Sequence, residues 1–105
     1  MVKPESIQNF VSQVVARYAP QSVILFGSQA MDKANDDSDV DMLVLMEYEG
    51  YSADKAAEIL MDINPRFSID LLIRRSEDVR RRISEGDFFL NEIMTTGRIL
   101  YEATN

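Results

Sequence analysis

The 105-residue sequence contains no cysteine and no histidine. Disulfides, thiol nucleophiles and imidazole bases are therefore excluded, as are the usual structural zinc sites, which draw on those two residue types. Acid and base work falls to carboxylates. Glycine (4) and proline (3) are scarce, while 46% of residues are hydrophobic and 28% charged. Those proportions argue against disorder and fibrous repeats and for one small globular domain over residues 1–105. Long apolar runs are missing as well. The stretch from Met42 to Met46 falls far short of the roughly 18 to 20 residues that span a bilayer. Pro4, Glu5, Gln8 and Asn9 interrupt any apolar core of a signal peptide. A cytoplasmic protein with no membrane partner is expected.

Positive charge is the minority: 11 Lys and Arg stand against 18 Asp and Glu, a net charge of −7. That sign disfavours direct binding of nucleic acid by counterion release. The charge is unevenly placed. Asp32, Asp36, Asp37, Asp39 and Asp41 crowd one stretch, and Arg74, Arg75, Arg80, Arg81 and Arg82 another. Each run alone reads as a solvated surface. Together, the acidic one suggests a cation and the basic one a phosphate or partner contact.

Ile7, Phe10, Val11, Val14, Val15 and Tyr18 recur at helical spacing behind Pro4, which predicts an amphipathic helix over 4–18. The short apolar run 22–26, stopped by Gly27-Ser28, reads as a buried strand ending in a tight turn. A polar stretch leads to a second strand over 39–46, a loop with Gly50 and a helix over 53–63. Asn64-Pro65 breaks that helix, and 66–73 supplies a third strand. Ser76 is a candidate N-cap for a helix to residue 83, Gly86 precedes another over 87–94, and Gly97 caps it before a terminal strand over 98–101. Alternating helices and strands place the fold in the α/β (α+β) class, a small mixed sheet flanked by helices. Phe88, Phe89, Leu90, Ile93 and Met94 form an apolar stripe, expected to cover the sheet. An exposed Phe88 or Phe89 would instead mark a partner or homodimer contact.

Chemistry concentrates in three places. Asp39-Val40-Asp41 opens a strand, so both carboxylates share a face while Val40 turns to the core. Asp70 lies inside the apolar run 67–73, where a carboxylate is costly without a cation or hydrogen bonds. If the two strands are neighbours, Asp39, Asp41 and Asp70 form a three-carboxylate site whose members resist full ionisation when no metal is bound. Hard oxygen donors favour Mg²⁺ or Mn²⁺. Gly27-Ser28 could let backbone approach a phosphate. Taken singly, each feature is also an ordinary turn or strand edge. A calcium loop begun at Asp37 fails, since its sixth position is Met42 and its twelfth Tyr48, not Gly and Glu. No P-loop or dinucleotide-binding glycine motif occurs.

Gly27-Ser28, the run Asp39-Val40-Asp41-Met42-Leu43-Val44 and Asp70 in a later strand together resemble the DNA polymerase β nucleotidyltransferase superfamily, and more closely its minimal nucleotidyltransferases. The resemblance covers most of the chain and extends to the ending Gly97-Arg98-Ile99-Leu100-Tyr101-Glu102. It departs at Met31-Asp32, where family members usually carry Arg-Gly. The resemblance implies that Asp39 and Asp41 hold the Mg²⁺ on a triphosphate, and that both, with Asp70, hold a second at the attacking hydroxyl. Asp70 would accept the proton, and Gly27 and Ser28 would grip the β- and γ-phosphates. It further implies transfer of AMP from ATP to a hydroxyl on a small helical HEPN toxin, with this chain as antitoxin. The alternative reading is a binding module, catalytically weak or inactive, that neutralises its partner by contact.

Overall fold

Pro4, which cannot donate a backbone hydrogen bond, opens α1 (Pro4–Tyr18) at the turn where that donor would be unpaired anyway. Ile7, Phe10, Val11 and Val14 then line its buried stripe, and Ala19 and Pro20 end it. The computed structural model describes residues 2–34 and 38–104. Asp36 and Asp37 of the acidic run lie outside them. After α1 come β1 (Ser22–Phe26), β2 (Val40–Leu45), α2 (Ser52–Ile63), β3 (Ile69–Arg74), α3 (Ser76–Ser84), α4 (Phe88–Thr96) and β4 (Arg98–Glu102). The strands form one sheet in the order β3-β2-β1-β4. β1 is antiparallel to both its neighbours, while β2 and β3, joined through α2, run parallel. The fold is α+β with a mixed sheet, as the alternating pattern implies. Among the described residues, no helix is long and apolar enough to cross a membrane.

The two central strands bury both faces. On one face Val23, Leu25, Val40, Met42, Val44, Leu71 and Ile73 pack against Phe10, Val11 and Val14 of α1 and Ile59 of α2. On the other, Ile24, Phe26, Leu43 and Leu45 meet Val79 of α3 and Leu90 and Ile93 of α4. Arg17 and Tyr18 at the end of α1 both bond the Asp62 carboxylate of α2, each at 2.9 Å. Burial and that hydrogen bond push the Tyr18 hydroxyl up to about 12.

The structure corrects several expectations. Asp39 precedes β2 rather than opening it, and β3 begins at Ile69 rather than at residue 66. Residues 66–67 form a bend, with Phe67 packed edge-on against Phe10. Ser76 is not an N-cap: it is the first residue of α3, and its hydroxyl donates to the side chain of Gln21. Asp87 caps α4 instead, accepting the Leu90 N–H at 2.9 Å. The apolar stripe of α4 divides. Leu90 and Ile93 are core, whereas Phe88 is 87% and Phe89 56% exposed. With nine residues, α4 turns only one side to the sheet.

Gly97 ends α4 in an extended conformation, so its role is close approach rather than a left-handed turn. A Cβ there would lie 2.5 Å from the Ile93 carbonyl oxygen and 2.6 Å from Ile24 Cγ2. Gly97→Ala is expected to cost about 1–3 kcal/mol through overpacking, read as a lower urea midpoint with an unchanged slope.

Candidate functional site

The site grows from strand register. β2 and β3 pair in parallel with Asp41 opposite Asp70, and β1 pairs with β2 so that Phe26 stands opposite Asp41. The row Phe26-Asp41-Asp70 therefore crosses three strands on the face that α4 covers, since residues paired across strands point to the same side. The Val40 N–H donates to the Ser68 carbonyl at 2.9 Å, which continues the ladder just before both aspartates. Sequence pattern placed Asp41 and Asp70 on separate strands, and the register makes them neighbours.

Gly27 follows Phe26 with φ +74. A side chain at this position would overlap Asp41 Oδ2, so the glycine is required twice, by its backbone and by the carboxylate resting on it. The next residues coil into one turn, with the Met31 N–H donating to the Gly27 carbonyl (3.3 Å) and Lys33 to that of Ser28 (2.9 Å). Asp32 in this turn adopts φ 56. Gln29, which sequence reasoning missed, is the one buried polar side chain among the described residues. Its amide donates to the Ser38 carbonyl at 3.4 Å and ties the turn to the approach to Asp39. An amide in a polar run carries no periodic signal that would have revealed it.

Burial, then the charges of Asp70 and Asp39, raise the carboxyl of Asp41 above its ordinary value. The charges of Asp70 and Asp39 act on Asp41 in the same direction as its burial. Asp39 and Asp70 are exposed, and among the described residues no Lys or Arg pairs with any of the three. Nor do three or more carboxylates there form a ready-made metal cage. The donor set suits a divalent cation nonetheless: all-oxygen ligands, and one carboxyl pushed up by burial and by its acidic neighbours.

Asp41, Asp70 and Gly27 line one side of an open cleft of about 350 Å³, whose other side is Phe89, Glu92, Ile93 and Thr96 of α4, with Phe26 and Met31 between. The basic cluster is elsewhere. Arg74 closes β3 four residues beyond Asp70, and Arg75 stacks on Tyr48 and bonds its carbonyl. Arg81 pairs with Asp78 and Arg82 with Asp87. None of Arg74, Arg75, Arg80, Arg81 and Arg82 lines this cleft.

The aspartate row sets a test. A carboxyl whose folded value is raised costs stability above that value and nothing below the unfolded value of 3.8. Asp41→Asn should therefore melt above the parent protein at neutral pH in chelator, with the gap closing as pH falls toward 3.8. Thermal melts across that range would show it.

The family model "Polymerase beta, Nucleotidyltransferase" matches residues 5–105. No curated protein matches in sequence. The fold is similar to that of a candidate nucleotidyltransferase from Sulfolobus solfataricus, with a TM-score of 0.66 and 17% identity over 93% of this chain and 78% of that one. It is also similar to a chain of a toxin–antitoxin crystal structure with AMP-PNP, with a TM-score of 0.58 and 18% identity over 92% and 74%. With the family match spanning nearly its whole length, the chain belongs to the polymerase beta nucleotidyltransferase family.

Proposed function

We propose that this protein transfers a nucleoside monophosphate, AMP from ATP, to a hydroxyl group on a HEPN-type helical toxin and so acts as a cytoplasmic antitoxin. The observation that carries the chemistry is the registered Asp41–Asp70 pair beside Gly27. Family membership supports nucleotidyl transfer. Likeness to a chain from a toxin–antitoxin structure with AMP-PNP supports the nucleotide and the kind of partner.

Asp39 and Asp41 would hold the Mg²⁺ that accompanies the triphosphate, and both, with Asp70, a second Mg²⁺ at the acceptor; Mn²⁺ suits the same oxygens. A divalent cation held by these carboxylates would supply acidification of the acceptor hydroxyl and neutralisation of charge on the entering and leaving oxygens. Asp70 accepts the hydroxyl proton. The acceptor oxygen bonds to the α-phosphorus as the bond to the bridging oxygen of the β-phosphate breaks, and pyrophosphate leaves. Gly27 and Ser28 hold the β- and γ-phosphates through backbone N–H and hydroxyl.

Incubation with α-labelled ATP, Mg²⁺ and lysate should label one protein band, and Asp39→Asn/Asp41→Asn should abolish it. A double variant that still captures and silences the partner would establish neutralisation by contact instead. Mg²⁺ with nucleotide should also raise the melting temperature by several degrees at saturation, and the double variant should show no such rise.

A further inference from the structure

Across the cleft the chemistry changes in a fixed order. Asp70 and Asp41 stand at one end, Phe26 is registered beside Asp41, and the Phe26 ring meets that of Phe89 edge to face, with centroids 5.9 Å apart and planes at 83°. An edge-to-face contact fixes the tilt of the Phe89 ring without covering both of its faces. The side chain is accordingly 56% exposed, and Met31, across the same cleft, is 53% exposed. What sets Phe89 apart from the more exposed Phe88 is its place, since it lines the same cleft as Asp41 and Asp70.

The geometry points to Phe89 as the residue that stacks against the nucleobase of the incoming nucleotide. This rests on the nucleotidyl-transfer reading and names the part of that site which recognises the base. A nucleoside triphosphate joins charged phosphates through a sugar to a flat base, and the cleft runs from Asp41 and Asp70 to an α4 side where Phe89 and Ile93 lie with the polar Glu92 and Thr96. Phosphates directed to Asp41 and Asp70 through their cation place the base toward α4. Phe88 has no such role, since it does not line the cleft.

The test compares two probes on the intact chain with Mg²⁺: inorganic tripolyphosphate, which has no base, and whichever of the four nucleoside triphosphates binds most tightly. The parent should bind the nucleotide more tightly than tripolyphosphate. Phe89→Ala should weaken the nucleotide on the order of tenfold, the usual effect of losing one base–aromatic stack, and leave tripolyphosphate unchanged. Phe89→Tyr should retain the parent's nucleotide affinity, which separates stacking from damage to the contact with Phe26. Equal binding of both probes by the parent would overturn the base wall while leaving nucleotidyl transfer standing. Binding of neither probe would overturn both. Phe89→Ala that binds nucleotide normally but labels acceptor poorly would overturn the assignment in favour of acceptor docking.

Discussion

The parallel register of β2 against β3 is the constraint on which the rest depends. It sets Asp41 beside Asp70, two carboxylates that no Lys or Arg among the described residues pairs with. Displacing β3 by one residue would turn Asp70 to the α1 face and put Ile69 in its place, because side-chain direction alternates along a strand. Such a slip would also carry Leu71 and Ile73 out of the core formed with Phe10 and Ile59. Hydrophobic burial therefore enforces an electrostatically unfavourable pairing. The sheet holds its aspartates together against their repulsion.

Much of this was legible in the sequence. β1 matches its expected span, and α1 does too, because its apolar residues recur without interruption and Pro4 and Pro20 punctuate its ends. Asp39, Asp41 and Asp70 were legible by contrast, as carboxylates in or beside apolar strands. Other features were hidden because they depend on partners far along the chain. Ser76 looked like a cap until its hydroxyl met Gln21, 55 residues away. Phe67 read as part of a strand, although its ring is placed by Phe10 of another element. Phe88 and Phe89 counted as core by hydrophobicity alone, and only the orientation of a short helix decides which of its apolar residues face inward.

The two faces of the sheet divide the labour. The face under α1 and α2 carries the larger core and makes no contribution to the aspartate row. The face under α3 and α4 is smaller, and its apolar cluster gives way to the cleft where α4 passes the end of the strands. Gly97 lets β4 leave α4 without a gap, which seats Ile93 against the sheet and positions Phe89 over Phe26. The arginines at the far end of β3 are tied to local carboxylates, an aromatic ring and backbone carbonyls. They stabilise that end and leave the aspartates unshielded.

The contact between Gly27 and the Asp41 carboxylate has a thermodynamic meaning beyond sterics. The Asp41 carboxylate occupies the space that a side chain at residue 27 would fill, so room for a charged donor is reserved at the strand end by the backbone itself. A ligand arriving there meets a donor already aimed, and association loses less entropy than it would with a mobile surface aspartate. Strand register likewise keeps Asp41 beside Asp70. The tension between them persists in the free protein, and a counter-charge bound between them releases it.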